Sequence, residues 1–282
     1  MGIKTKSTLE SLEHLSSLLD VSKKVYFNRY GDGEIFNMVN KDSREHYATE
    51  DLANELKISF SIDDPHYLKA VAINYPVEKG MIYGLFAPFK KNLILEKSLS
   101  DTFNIPESNR FENPVAFHYL SIFKPEVMNN FLNKYIRPKK KMFIGSTPKH
   151  IAEMVFGPID VYIPIPSVGA YYKLNEWFPQ IVENIDKVEV VIPSAGVASN
   201  IISSKLWQMN CEVHCLNIGS IVDAIDGLKS RKWIRLMGHR VNNIVVPEAK
   251  DRSIKFKILY LYKEIYFTLR TLVKGKKTNL PY

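Results

Sequence analysis

Long apolar runs are missing from this 282-residue chain. No stretch approaches the roughly eighteen consecutive apolar residues that a membrane-crossing helix needs. The first residues, Met1-Gly2-Ile3-Lys4-Thr5-Lys6-Ser7, hold no apolar signal core. They do not complete a myristoylation pattern either, because Lys6 stands where Ser or Thr is required. Cysteine is scarce. Its two residues, Cys211 and Cys215, lie in Cys-Glu-Val-His-Cys-Leu, where a strand would point both thiols to one face and His214 to the other. That arrangement predicts buried thiols in a reducing compartment. It suits neither a disulfide framework nor a metal knuckle. A cytoplasmic setting is the expectation.

Strong charge is also absent from most of the chain. The net charge is +8, yet residues 249–282 carry nine Lys and Arg against Asp251 and Glu264. That tail accounts for +7 and leaves the first 248 residues nearly balanced. A nucleic-acid partner is therefore not expected. The composition, 45% hydrophobic and 24% charged, is that of a globular chain with a real core.

The pattern that is present is a cycle of strand, small-residue turn and helix. Ser7-Thr8-Leu9-Glu10 is a capping box, and Leu9, Leu12, Leu15 and Leu18-Leu19 follow at helical spacing. Lys24 to Asn28 predicts a strand, followed by Gly31-Asp32-Gly33-Glu34 and a helix through Ile35 to Val39. Residues 40–118 predict helices and loops, among them Asp51 to Ile58 and His66 to Ala72, and are expected to form an acceptor-side insertion. Val127 to Ile136 predicts a helix ended by Pro138. Strands are expected at Lys141–Ile144, Asp160–Ile165, Val188–Ile192 and Glu212–Ile218. Each leaves through a turn rich in Gly, Ser and Pro, and Thr147 and Pro148 should open the helix after the first of them. Such a cycle implies a Rossmann-like α/β fold with a mostly parallel sheet flanked by helices, spanning residues 1–248.

Ligands of open parallel sheets bind at the carboxyl ends of the strands. Ser146, Thr147, Ser167, Ser194, Gly196 and Ser220 should share that edge, where backbone N–H groups and hydroxyls suit a nucleotide diphosphate. No turn matches a P-loop or the spaced dinucleotide-binding glycines. Asp32 and Glu34 sit just past the first strand on the same edge. Two carboxylates there would suit Mn²⁺ or Mg²⁺ bridging a diphosphate. Arg29 could add a bidentate phosphate contact. The competing reading makes Asp32 a helix cap. Asp223, after the fourth of these strands, is the candidate general base, with Asp226 second. His118, in Val-Ala-Phe-His-Tyr-Leu, is expected to be a core histidine rather than an acceptor contact.

Asn28-Arg29-Tyr30-Gly31-Asp32-Gly33-Glu34 resembles the Arg-Phe-Gly-Asp-Gly-Glu signature of the GT-D-type bacterial glycosyltransferases. Ile163-Pro164-Ile165-Pro166-Ser167 with Tyr171-Tyr172, and Val191-Ile192-Pro193-Ser194-Ala195-Gly196, are similar to further segments of that family. The likeness covers roughly residues 20–230, and its middle matches poorly. It implies a metal-dependent enzyme that moves a sugar, such as glucose, from a UDP-sugar to a glycan or lipid-linked acceptor. The setting would be bacterial surface polysaccharide or glycoprotein synthesis. It also implies a metal at Asp32 and Glu34 and a nucleotide sugar against Arg29, Gly31, Gly33, Ser146, Ser167, Ser194, Gly196 and Ser220. Family members often carry Asp-x-Gly-His after the last core strand, whereas this chain has Asn217-Ile218-Gly219-Ser220, so its donor contacts should differ.

The tail predicts a basic amphipathic helix over residues 253–274, with Lys276 and Lys277 beyond it. Residues 253–277 could lie on an anionic membrane surface, on the inner face of the cell membrane, or the helix could pack on protein. The rival functions are a methyltransferase or sugar-phosphate hydrolase of similar fold, and a non-catalytic membrane-binding module.

Overall fold

The computed structural model describes residues 3–42, 47–73, 93–105, 110–222 and Tyr262. Asp223, Asp226 and, apart from Tyr262, the predicted tail helix lie outside the described residues. Among those described, no helix is long and apolar enough to cross a membrane.

The chain opens with β1 (Lys4–Thr5) and α1 (Thr8–Val21). The capping box is formed in full. Glu10 N–H donates to Ser7 Oγ at 3.2 Å, and Ser7 N–H donates to Glu10 Oε2 at 2.7 Å. These bonds satisfy two amides that a helix start otherwise leaves open. Next come β2 (Val25–Tyr30), α2 (Asp32–Met38), α3 (Glu50–Ser61), β3 (Tyr67–Val71), α4 (Leu93–Thr102), β4 (Arg110–Phe111), α5 (Ala116–Phe123) and α6 (Pro125–Tyr135). The second half alternates β5 (Lys141–Gly145), α7 (Lys149–Phe156), β6 (Val161–Pro164), α8 (Leu174–Asn184), β7 (Val190–Ser194), α9 (Ala198–Gln208) and β8 (His214–Leu216). A 3₁₀ turn, Ala170–Lys173, leads into α8, and Pro179 lies inside that helix.

Six strands form one parallel sheet in the order β3-β2-β8-β7-β5-β6, which establishes the α/β class. β1 and β4 form a separate parallel pair, and Glu112 bridges that pair to Ala70 of β3. Helices cover both sides. On one face Ile35, Leu56, Leu99, Trp177 and Ile201 pack over Tyr26 and Val191. On the other, Leu15, Leu120, Leu132 and Val155 pack over Phe27 and Ile192.

Three expectations are corrected. His66 to Ala72 is not helix or loop but the edge strand β3. Tyr67, Leu68, Ala70 and Val71 are all buried, as in a parallel strand covered on both faces, and such a run has no clean alternation to read. The helix after β5 is capped by Pro148 rather than Thr147; Thr147 is buried and its carbonyl accepts from Tyr162 Oη. Of the two cysteines only Cys215 lies in the strand, because the chain is still leaving α9 at Cys211. Both thiols are free and pack on the same face, but only Cys215 is buried as expected, and Cys211 is half-buried. Burial pushes Cys215 up to about 12 and raises Cys211 as well.

Candidate active site at the carboxyl edge

Two places in the sheet send neighbouring strands' chains to opposite faces. After β5, α7 packs on the Phe27 face, and after the adjacent β7, α9 packs on the Tyr26 face. After β2, α2 covers the Tyr26 face, whereas Ile221 and Val222 beyond the adjacent β8 join the Phe27 face. Both crevices open at the carboxyl edge, where parallel sheets bind ligands.

The first crevice is flanked by Ser146, which is exposed, and by Ser194 and Gly196. Ser167 lies further out, exposed on the turn after β6. Ser194 is wedged between the ends of its neighbouring strands. A Cβ on Gly219 would meet Ser194 Cβ at 2.4 Å, and one on Gly145 would meet it at 3.2 Å. Glycine at 219 is therefore what lets the turn after β8 lie against β7. Ala195 N–H donates to Ser199 Oγ at 3.0 Å, which closes the turn that enters α9.

The second crevice holds the predicted carboxylates. The N-cap of α2 is Gly31, without a side-chain cap bond, so Asp32 is the first helical residue and not the cap of the competing reading. Asp32 and Glu34 are both half-buried in the first turn. Residues two apart on a helix diverge, but Glu34 folds back. Its Oε2 lies 2.9 Å from where a Gly31 Cβ would stand. A glycine at 31 therefore leaves room for this carboxylate at the start of α2. The donor set is hard and anionic, as Mg²⁺ and Mn²⁺ require. Among the described residues no three His, Cys, Asp or Glu converge, and Asp32 and Glu34 are the carboxylates here that could hold such an ion.

Arg29 is nearly buried on the last turn of β2. Its Nε donates to the Pro114 carbonyl at 2.8 Å and its Nη1 to Ser220 Oγ at 2.8 Å. These bonds aim the guanidinium at the turn after β8. His118, 3% exposed on α5, places Nε2 2.7 Å from the same Ser220 Oγ. Ser220 itself is half-buried. His118 is thus a buried histidine, as expected, but one that reaches the site. No local pattern could reveal this, because the partners are 102 residues apart. Asn200 was also missed. It is fully buried on α9, donates from Nδ2 to the Arg29 carbonyl at 2.8 Å, and ties α9 to the end of β2.

Below these groups lies a buried hydroxyl hub. Ser59 Oγ is 2.8 Å from both Tyr30 Oη and Tyr67 Oη and donates to the Asn200 carbonyl at 3.0 Å. Burial raises both phenols well above their ordinary range, so they remain neutral. Tyr171, beyond the turn after β6, is held near 12, first by burial and then by the carboxylates of Glu55 and Asp51.

No family model matches the sequence, and no curated protein matches it. Solved structures do. A glycosyltransferase from Streptococcus sanguinis, assigned to domain of unknown function 1792, is 18% identical with a TM-score of 0.60, over 82% of this chain and 87% of that one. Another structure of domain 1792, described as having a distinct glycosyltransferase fold, is 16% identical with a TM-score of 0.58, over 80% of this chain and 81% of that one. A selenomethionine-substituted structure of domain 1792 is 15% identical with a TM-score of 0.57. The likeness is one of fold. It extends over about four-fifths of this chain.

Proposed function

We propose that this protein is a glycosyltransferase that takes a nucleotide sugar, with UDP as the nucleotide, and passes the sugar to a hydroxyl of a glycan or lipid-linked acceptor. One observation carries the reading. It is supported by two carboxylates in the first turn after β2 and by the Arg29–Ser220 bond that joins the end of β2 to the turn after β8, in a fold shared with structures described as glycosyltransferases. Asp32 and Glu34 would hold Mn²⁺ or Mg²⁺. Bound there, the ion would supply charge neutralisation for the leaving diphosphate. Gly31 and Gly33 let the backbone come close to the ligand. Ser146, Ser194 and Gly196 line the neighbouring crevice and suit the remainder of the donor, with Ser167 at its rim. Arg29 supports the site from below, since Nε and Nη1 are engaged with Pro114 and Ser220. The glucosyl donor, the role in surface polysaccharide or glycoprotein synthesis, and membrane contact by residues 253–277 belong to the same proposal and rest on resemblance and charge. Asp223, the base expected from sequence position, lies outside the described residues.

The test is calorimetric titration of UDP with and without Mn²⁺, with UDP release measured across a panel of sugar nucleotides. Manganese-dependent binding and release are expected, and Asp32→Ala should remove the metal-dependent part of binding. A folded protein that neither binds UDP nor releases it from any donor would return the choice to the methyltransferase, hydrolase and membrane-module readings.

A further inference from the structure

Ser220 Oγ is shared by two groups of different character. Arg29 Nη1 can only donate, so it occupies one lone pair of the hydroxyl. His118 Nε2, at 2.7 Å, can either accept or donate. Two proton arrangements satisfy the contacts among Arg29 Nη1, Ser220 Oγ and His118 Nε2. With Nε2 unprotonated, Ser220 donates its proton to His118 and keeps one lone pair to accept from a ligand. With Nε2 protonated, His118 fills that lone pair and the Ser220 proton turns outward. The hydroxyl is half-buried and lies past β8, bonded to Arg29 near the end of β2, while His118 and Arg29 are themselves buried. A buried imidazole thus reaches a partly open hydroxyl at the edge where parallel sheets bind ligands.

We infer that Ser220 and His118 form a proton relay that deprotonates the acceptor hydroxyl, an inference that rests on the glycosyltransferase reading above. In the transfer step the acceptor O–H bond breaks and its proton passes to Ser220 Oγ. The proton of Ser220 passes to His118 Nε2. The electron pair left on the acceptor oxygen forms the new bond to the anomeric carbon. The bond from that carbon to the diphosphate breaks, and its pair leaves on the diphosphate oxygen. After product release the proton returns through Ser220 to water. Ser220 touches the substrate, and His118 acts through it. Arg29 fixes the hydroxyl between them.

The experiment compares wild type with His118→Gln and Ser220→Ala under saturating Mn²⁺. Readouts are UDP release from the donor that the wild type uses, UDP affinity by calorimetry, and glycosyl azide formation with sodium azide as nucleophile. Azide needs no deprotonation. The relay predicts that each variant loses about 10²–10⁴-fold in kcat with hydroxyl acceptors. UDP affinity should stay unchanged in His118→Gln, whose side chain is buried away from the ligand, and azide should restore most of the lost rate. Three results would overturn it. One is a His118→Gln enzyme with undiminished kcat. Another is loss in Ser220→Ala alone. The third is a joint loss of rate and UDP affinity in His118→Gln that azide does not restore, the mark of a structural strut. A wild-type protein that releases no UDP from any donor would fail differently, because the glycosyltransferase reading would fall first.

Discussion

The packing of Gly219 against β7 sets up a severe test with a single methyl group. In Gly219→Ala the new Cβ would stand 2.4 Å from Ser194 Cβ and 2.9 Å from both Ser194 Cα and the Pro193 carbonyl oxygen. Carbon atoms rest at about 3.5–4.0 Å, so the turn after β8 must move away from β7 by about 1 Å. The obstacle is largely backbone, which cannot swing aside as a flexible side chain can. Overpacking of this kind costs about 1–3 kcal/mol. At roughly 2–4 °C per kcal/mol, the melting temperature should fall by about 2–12 °C. The same displacement would pull Ser220, the next residue, from bonds of 2.7 and 2.8 Å toward the limit of hydrogen bonding. Misplacement by about 1 Å can cost some 10²-fold in rate, so UDP release should fall by that order even where the variant remains folded. Differential scanning calorimetry and UDP release on the same preparation give both numbers. An alanine variant that melts within about 1 °C of wild type and keeps its rate would refute the argument that glycine is required for this close approach.

Three further outcomes follow from other parts of the molecule. Burial first, and then the neighbouring Lys139 charge, lower His214 from its ordinary 6.5 to about 4, against a smaller opposing pull from Glu189. On acidification the unfolded chain takes up this proton near 6.5 and the folded chain only near 4, so stability should fall across that window by up to about 3 kcal/mol; denaturant midpoints of a His214→Gln variant should depend less on pH there, and an unchanged slope would contradict this. Ser59→Ala removes the hydroxyl shared by Tyr30, Tyr67 and the Asn200 carbonyl and should cost about 1–3 kcal/mol in urea unfolding, a loss that Ser59→Thr should not reproduce in full. Truncation after Glu248 should abolish binding to vesicles rich in anionic lipid, and equal sedimentation of the two forms with such vesicles would remove the membrane role from the tail.

The second half of the chain was legible because its strands are short apolar blocks, each closed by a small-residue turn. β5, β6 and β7 fall within two residues of expectation at either end, and Ser7 caps α1 with the predicted reciprocal bonds. β3 was not legible, because a strand buried on both faces presents no alternation, and its five residues could equally be a helical turn. The carboxylate turn could be located from its neighbours in sequence. What could not be read was the company it keeps. Arg29 looked like a phosphate ligand, yet Pro114 and Ser220 engage it from remote parts of the chain. His118 and Asn200 reach the site only through pairings that the sheet order creates, and one sequence carries no record of that order.

The sheet order has a consequence for how the chain is made. Val25 of β2 pairs with His214 of β8, so the second strand of the chain waits for the last described one before its inner side is occupied. During synthesis, β2 can pair early with β3, and β5 with β6 and β7, but the two halves stay unjoined until β8 arrives and fills the gap between them. Contacts so distant along the chain close slowly. Until then each half presents an open, apolar strand edge, the kind that recruits other chains. A fragment ending anywhere before Leu216 should therefore be recovered as two partly formed, aggregating halves, so β8 works as the keystone on which solubility depends.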